Sequence, residues 1–488
     1  MRIRTFNDPV LRRRADLIRR VGPATRRLAA RMVRTMRSHR GVGLAAPQVG
    51  ILSRLIVVDV GQGLWVIANP RIAASSGAVT DWEGCLSFPG LLAEVERAER
   101  VSVEGVGLDG RKLWVEGEGF FARALQHEID HLDGVVILDR ALSVQRAEPS
   151  EEPEPAASDR DDRDDPGTAR PLRVAFLGTP DFACPTLEAL IAAGHEVIGV
   201  VTQPDRPAGR GGRSLRPPAV KQTAGAFGLP VWQGEGSEVR RSLAGLFREW
   251  RVDVAIVVAF GVILPADALQ APRLGCLNLH ASLLPEYRGA APIQRAILDG
   301  RTETGVTVIR MDEGVDTGDI LAQRAVPILP HDTAGSLHDR LAVVGADLMV
   351  ETLELVASGQ ARPRPQPVGG TSAPRLTPED EVIDWSRPVD AIERQVRALH
   401  PAPGAHTCLG GRRIKVWWVQ SVGSGRVTPD RAAGARYGEV VAVDPRGPLV
   451  MARDGLLLLE VVQPAGGARM SGADFVNGYR VKPGDRFG

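Results

Sequence analysis

The 488-residue chain has only four cysteines (Cys85, Cys184, Cys276, Cys408), four lysines and three tyrosines. So few cysteines over this length exclude a disulfide scaffold and suit a reducing, cytoplasmic compartment. No run approaches the roughly 20 consecutive apolar residues of a membrane helix, so no membrane span is expected. An excess of one charge is also missing. Sixty basic against 59 acidic residues give +1, which argues for no particular partner and gives no reason to expect DNA binding. The scarcity of lysine leaves 56 arginines. Arginine grips phosphate bidentately, but the codon bias of a GC-rich genome gives the same composition. Each arginine must therefore be argued from its motif. What is present is ordinary for globular protein, 43% apolar and 24% charged. At about 150 residues per domain the length suggests roughly three domains.

The distribution of charge divides the chain. Residues 148–165 hold nine acids and two arginines, a net −7, which leaves +8 elsewhere. The stretch 146–170 contains no apolar residue larger than alanine and cannot offset its ordering entropy, so it is expected to be a disordered acidic linker. About 25 such residues span roughly 25–30 Å root-mean-square. A plain tether of this kind is not expected to hold its two flanks in a fixed pose. Alternating prolines make 361–374 a second, stiffer linker. Three folded blocks remain, 1–145, 171–360 and 375–488. The first 40 residues carry thirteen arginines and two acids, superficially like a transit peptide. However, Leu28, Met32, Val33 and Met36 recur at helical spacing. The segment therefore reads as a docked helix with an arginine-rich opposite face, and a cleaved presequence is not expected.

Periodicity predicts an α+β first block, with helices over 24–38 and 119–132 and strands at 55–60, 64–73 and 91–106. In the helix over 119–132, Phe120, Ala124, His127 and His131 share a face. In the second block, buried-strand runs at 173–178, 196–202, 253–259 and 276–280 alternate with helical patterns. This is the signature of an α/β doubly wound parallel sheet. A helix over 334–357 presents Leu337, Leu341, Val344, Leu348 and Leu355 on one face. The third block, with a helix at 388–399 and strands at 412–420, 438–444 and 455–462, suggests a C-terminal small β-barrel.

Residues 127–131 read H-E-I-D-H. Two histidines at i and i+4 share a helix face and can bind one metal, and Glu128 stands where a general base flanks a metal-held water. Cys85, in E-G-C-L-S on a loop between strands, offers a thiolate as third ligand and leaves one position open. With G-V-G-L-A-A-P-Q (41–48) and Q-H-E-I-D-H-L-D-G (126–134), these segments resemble the three motifs of the peptide deformylases. The resemblance covers residues 3–141. It implies that this block is an α+β metallohydrolase domain with Cys85, His127 and His131 as metal ligands. It implies that Glu128 takes the water proton and passes it to the leaving amine. It also implies that the Gln48 amide and the Leu86 backbone N–H stabilise the oxyanion. Its usual metal is Fe(II), replaceable by zinc or nickel, whereas the ligands alone suggest zinc. The substrates implied are nascent formylated peptides at the ribosome. The rival reading, an H-E-x-x-H metallopeptidase, wants a downstream third ligand, and no suitable histidine follows.

In the second block, L-G-T-P-D-F (177–182) puts Pro180 and Ala183 where a dinucleotide fingerprint needs glycine. Asn278 and His280 end a buried strand two residues apart and project to the same side, where an amide and an imidazole can bind a carbonyl oxygen as charge develops. Acids follow on the loop M-D-E-G-V-D-T-G-D (311–319). From about 172 to 486 these segments resemble methionyl-tRNA formyltransferases, a folate-dependent family. The resemblance implies a catalytic trio of Asn278, His280 and Asp316. Ser282, Leu283, Leu284 and Pro285 would contact the folate, with 10-formyltetrahydrofolate as formyl donor and initiator methionyl-tRNA as acceptor. Glycinamide ribonucleotide formyltransferase shares the trio, so the acceptor rests on two other features. One is the basic loop 202–221 with Arg206, Arg210 and Arg213 as tRNA contacts. The other is the third block, where Arg412, Arg413 and Lys415 stand beside Trp417 and Trp418. Glu286, where the family usually has a basic residue, departs from the pattern, as does the lack of a tryptophan common near 400–407. The expected whole is a multifunctional enzyme with opposed formylating and deformylating activities. The alternative is one active half beside a degenerate binding module.

Overall fold

The computed structural model describes residues 1–6, 8–147, 171–208, 214–422 and 434–488. The expected acidic linker, apart from its first two residues, therefore lies outside the described residues. The chain forms two compact units. One comprises Met1–Asn278 with Met349–Ala361, the other Leu279–Leu348 with Arg362–Gly488.

In the first unit, α1 (Pro23–Ser38) leads into β1 (Gly43–Ala45), β2 (Leu55–Val58) and β3 (Trp65–Ser76). The chain continues through β4 (Val79–Gly84), β5 (Leu91–Arg97), β6 (Arg100–Val106) and β7 (Lys112–Glu118). Helix α2 (Gly119–Leu132), the short α3 (Ile137–Arg140) and β8 (Ala141–Arg146) complete this block. Two antiparallel sheets result, ordered β1-β2-β3-β6-β7 and β4-β5-β8. Helix α2 is buried almost all round. Its Phe121, Ala122, Leu125, Ile129 and Leu132 pack with Ile56, Val58, Ile67, Val103 and Val115. Each valine, leucine, isoleucine or phenylalanine among them stabilises the fold by about 1.5–3 kcal/mol on full burial. Phe120 departs from the expected face. At the first turn of α2 it is 59% exposed, whereas Ala124, His127 and His131 are buried. The single strand expected over 91–106 is two strands, because the ladder breaks at Ala98–Glu99 and β5 and β6 join different sheets.

The same unit holds the start of the second block: β9 (Arg173–Gly178), α4 (Cys184–Ala192), β10 (Glu196–Thr202), β11 (Arg206–Ala208) and β12 (Ser214–Arg216). It continues through α5 (Ala219–Ala226), β13 (Val231–Gln233), α6 (Gly236–Glu249), β14 (Val254–Val258) and α7 (Ala266–Gln270). Strands β13, β10, β9 and β14 lie side by side and parallel. The runs V-A-F-L-G and V-A-I-V-V in β9 and β14 are buried throughout, as strands covered on both faces must be. The expectation that the two flanks of the acidic linker share no fixed pose fails. Helix α1 packs on α4, and Arg37 of α1 pairs with Glu188 of α4 at 2.6 Å. The arginine-rich face of α1 is thus partly an interface, and Ala29 and Ala30 are as buried as Met32, Val33 and Met36.

Strand β15 (Cys276–His280) ends at the start of the second unit. There follow β16 (Arg288–Gly289), α8 (Pro292–Leu298), and the antiparallel pair β17 (Glu303–Arg310) and β18 (Ile320–Pro327). Helix α9 spans Ala334–Ala357 as the spacing predicts. Leu355, however, is 43% exposed, and Leu353 and Val356 take the buried positions in that turn. The proline-rich 361–374 is stitched down by an isolated bridge from Arg364 to Ile320, and β19 (Ser372–Ala373) pairs with β16. Next come α10 (Pro378–Glu381), α11 (Val389–Ala398), β20 (Ala405–Leu409), β21 (Arg412–Val422) and β22 (Val440–Asp444). The chain ends with β23 (Gly447–Met451), β24 (Leu456–Pro464), β25 (Met470–Ser471) and α12 (Gly472–Tyr479). The strands form one antiparallel sheet, β20-β21-β24-β23-β22, with β25 on β24. The C-terminal residues tie its two edges: Phe487 bridges Leu409, and Arg486 bridges Glu439.

Candidate functional site

Helix α2 carries His127, Glu128 and His131, and the turn after β4 carries Cys85. Their ligand atoms converge. Cys85 Sγ lies 3.3 Å from His131 Nε2, which is 3.2 Å from His127 Nε2. Among the described residues, this is the only cluster of His, Cys, Asp and Glu with ligating atoms gathered tightly enough for a metal ion. A thiolate and two imidazoles suit a divalent metal with one position left over. The surroundings fit that reading. Glu128 is 4% exposed, and its Oε2 and His131 Nδ1 are buried without a partner. Burial pushes the Glu128 carboxyl up to about 7. Gln48 is held by its own turn: the Ala45 N–H donates to its Oε1 at 2.8 Å. This aims Nε2 at Cys85 Sγ (3.6 Å) and Ser87 Oγ (3.3 Å). Leu86, half-buried, follows Cys85 on the same turn.

Two features of this site escape motif reading. A Cβ at Gly43 would lie 2.3 Å from Glu128 Oε1, so only glycine there allows Glu128 its place. Glu83 anchors the second feature. Its Oε2 pairs with His127 Nδ1 at 2.9 Å, while Arg97 and Arg123 donate to its carboxylate at 2.8–3.1 Å. Arg97 also reaches Asp130 of the H-E-I-D-H segment. Burial alone would raise the Glu83 carboxyl, but hydrogen bonds from His127 and Arg97 outweigh it and pull it down to about 2. The alternation of E-G-C-L-S, which puts Glu83 two residues before Cys85, was the available signal for the first of these contacts.

Asn278 and His280 stand two apart on β15, where side chains two residues apart emerge on one face. Asn278 is half-buried and closes the first unit. In the second unit, His280 Nε2 lies 2.9 Å from the Tyr287 carbonyl oxygen and Nδ1 lies 3.5 Å from Asp316 Oδ2. Asp316 adopts a left-handed backbone (φ 56°), a strained conformation for a non-glycine residue that surrounding contacts must hold. The Gly289 N–H donates to its Oδ2 at 2.9 Å, and Gln366 Nε2 donates to the carbonyls of Asp316 and Gly318, both at 2.8 Å. Gln366 comes from the proline-rich segment, which read only as a linker. A cavity of about 350 Å³ lined by Arg288, Gly289, Val315 and Gly370–Ser372 opens beside Asp316. The S-L-L-P run is fixed nearby. Thr307 Oγ1 donates to the Ser282 carbonyl and accepts from the Leu284 N–H. Leu284 packs with Ile309 and Ile320, Leu283 and Pro285 stay half-buried, and a Cβ at Gly370 would lie 2.3 Å from the Pro285 carbonyl oxygen.

The basic residues divide. Arg206 is exposed at the start of β11, whereas Arg210 and Arg213 lie outside the described residues. In the third block the expected RNA-facing cations have partners within the chain. Lys415 and Arg469 face the Trp417 ring, Arg412 faces Tyr479, and Arg413 pairs with Glu381. Glu286 accepts from Thr371 Oγ1 and lies 3.8 Å from Arg301, which offsets its charge locally.

These two centres define a metal-dependent hydrolase block followed by a formyl-transferring one, and the comparisons agree. Family models match as polypeptide deformylase over 1–147, formyl transferase over 172–353 and formyl transferase C-terminal domain over 375–480. The chain is 50% identical over 318 residues to a methionyl-tRNA formyltransferase of Symbiobacterium thermophilum, covering 65% of this chain and 95% of that one. It is 49% identical to that of Moorella thermoacetica, covering 65% and 99%. A solved peptide deformylase of Thermotoga maritima is 45% identical, covering 29% of this chain and 97% of that one, with a TM-score of 0.29. The chain belongs to the methionyl-tRNA formyltransferase family and carries a peptide deformylase domain fused at its N-terminal side.

Proposed function

We propose that the N-terminal block hydrolyses the formyl group from N-formylmethionyl peptides and that the remainder transfers formyl from 10-formyltetrahydrofolate to initiator methionyl-tRNA. The observation that carries the first half is the convergence of Cys85, His127 and His131 beside a buried Glu128. These ligands would hold Fe(II), with zinc or nickel as substitutes. A metal held there would supply Lewis acidity towards a water and the formyl carbonyl. Glu128 takes the water proton and returns it to the leaving amine, a role that suits a carboxyl pushed up to about 7. Gln48 Nε2 and the Leu86 N–H donate to the developing oxyanion, and Glu83 fixes the His127 ring so that Nε2 is the ligating nitrogen.

In the transfer reaction the methionyl amine attacks the formyl carbon, the bond to the folate nitrogen breaks, the amine gives up one proton, and the departing folate nitrogen takes one up. Asn278 and His280 stabilise the oxygen as it gains charge. Asp316 orients His280 and assists proton removal, and Ser282, Leu283, Leu284 and Pro285 line the folate. Arg206, Arg210 and Arg213 follow the phosphates of the tRNA end. The setting that suits both substrates is the cytoplasm, with the formylated peptides met at the ribosome. No helix among the described residues is long and apolar enough to cross a membrane. A degenerate half is not favoured, since Cys85, His127, Glu128 and His131 in one block and Asn278, His280 and Asp316 in the other are all present. Cys85→Ala and His131→Ala test the first half: both should abolish bound metal and formate release while formyl transfer continues. Formate release at the wild-type rate from Cys85→Ala would remove the metal site from the mechanism.

A further inference from the structure

One buried charged contact that the two reactions leave unused joins the deformylase block to the formyltransferase sheet. Glu188, in the middle of α4, is 1% exposed. Arg37 Nη1 of α1 donates to both of its carboxylate oxygens, at 2.6 and 2.7 Å, and Nη2 donates to Asp59 Oδ2 at 3.1 Å. A buried carboxylate without such a partner is costly. Burial raises the Glu188 carboxyl and the Arg37 charge opposes that rise. About three helical turns earlier on α1, Arg26 Nε bridges two backbone carbonyls from different blocks, Leu108 at 3.2 Å and Phe227 at 3.1 Å. Between these two arginines on the same helical stripe lies Ala30, fully buried, small enough for close helix approach. The backbones themselves nearly touch. A Cβ at Gly228, which has φ +62°, would lie 2.4 Å from the Asp109 nitrogen. A loose tether does not produce matched glycine, alanine and buried ion-pair positions on both sides.

The contact leads to the metal site. Helix α1 runs directly into the glycine motif, where the Gly41 N–H donates to the Met36 carbonyl at 2.9 Å. Asp59, held by Arg37, donates its own N–H to the Val42 carbonyl at 2.8 Å. Gly43, the next residue, is the one in close contact with Glu128. Arg37 therefore touches the formyltransferase helix on one side and, through Asp59, the loop that packs on the deformylase base on the other.

We propose that the deformylase block is permanently docked on α4 through the Arg37–Glu188 pair, and that this docking positions the 41–45 loop against Glu128. Arg37 and Glu188 are positioning residues and touch no substrate. The interface claim is independent of which formyl compound is hydrolysed, whereas its effect on turnover rests on the deformylase reading.

The test uses the full chain with a protease site placed within 150–165. After cleavage, the two fragments should co-elute as one species on size exclusion at micromolar concentration, and formate release from a formyl-Met peptide should stay within twofold. Glu188→Ala in the uncut chain should lower kcat for formate release about five- to tenfold, with KM and metal content unchanged. Cleavage of that variant should release separate fragments, and Glu188→Asp should restore most of kcat. Arg26→Asp, on the deformylase surface, gives a second variant that should weaken co-elution without touching the buried carboxylate. Separation of the wild-type fragments after cleavage, or an unchanged kcat in a folded Glu188→Ala chain, would overturn the proposal. Failure of the wild-type chain to release formate, with co-elution intact, would instead count against the deformylase reading.

Discussion

Glu83 Oε2 lies 2.9 Å from Nδ1 of His127, and that contact leaves Nε2 as the imidazole nitrogen offered to a metal. Carboxylate partners of this kind raise ligand basicity and fix the ring, and their loss typically costs about 10–100-fold in metal affinity or activity. Glu83→Gln should therefore weaken metal binding by about that factor, measured by competition with a chelator. The substitution also removes a pH-dependent contribution. The folded carboxyl, near 2, lies below its ordinary 4.5. Glu83 therefore stabilises the fold above pH 4.5, and that stability is lost as pH falls from 4.5 towards 2. Acid unfolding of the metal-free Glu83→Gln chain should be less steep across that window than in the wild type.

Gly43→Ala places a methyl group 2.3 Å from Glu128 Oε1 unless the carboxylate moves. Misplacing a reacting group by about 1 Å costs on the order of 100-fold. The variant should keep its metal and lose turnover by about 10–100-fold, read as kcat for formate release with metal content assayed in parallel.

Asp316→Ala removes the carboxylate 3.5 Å from His280 Nδ1. Loss of a positioned acid–base partner typically costs about 10²–10⁴-fold. Formyl transfer should fall by that order in kcat, while formate release by the same preparation is unchanged. Gln366→Ala, which frees the Asp316 loop without removing the acid, should show a smaller loss in the same assay.

Arg206→Ala and Arg210→Ala should raise KM for charged tRNA and flatten its salt dependence by about one unit of slope each, because each phosphate contact releases a counterion. The KM for the folate donor should not move. A tRNA titration at several salt concentrations separates this from a solvated loop.

Much of the fold was legible because strong periodicity fixes element type. The strands at 173–178, 196–202 and 276–280 and the helix at 334–357 have the predicted bounds. What was not legible depends on contacts distant in sequence. Strands β4 and β8 are mostly exposed and lack a buried-strand pattern. Nothing local to Glu83 announces Arg97 and Arg123, fourteen and forty residues away. Gln366 sits among prolines that read as a spacer, yet it holds the Asp316 loop. The docking of α1 on α4 was hidden most completely. A charged tether argues for independent halves, and the pairing of Arg37 with Glu188 spans 151 positions.

The central claim is that one chain carries two separate formyl chemistries. One preparation assayed for formate release from a formyl-Met peptide and for formyl transfer to charged initiator tRNA, with Glu128→Ala and His280→Ala beside the wild type, tests it most directly. The wild type should perform both reactions, Glu128→Ala should lose only deformylation while keeping its metal, and His280→Ala should lose only transfer. A wild-type chain active in one assay alone, or a single substitution that abolishes both in a folded, metal-loaded protein, would contradict the account.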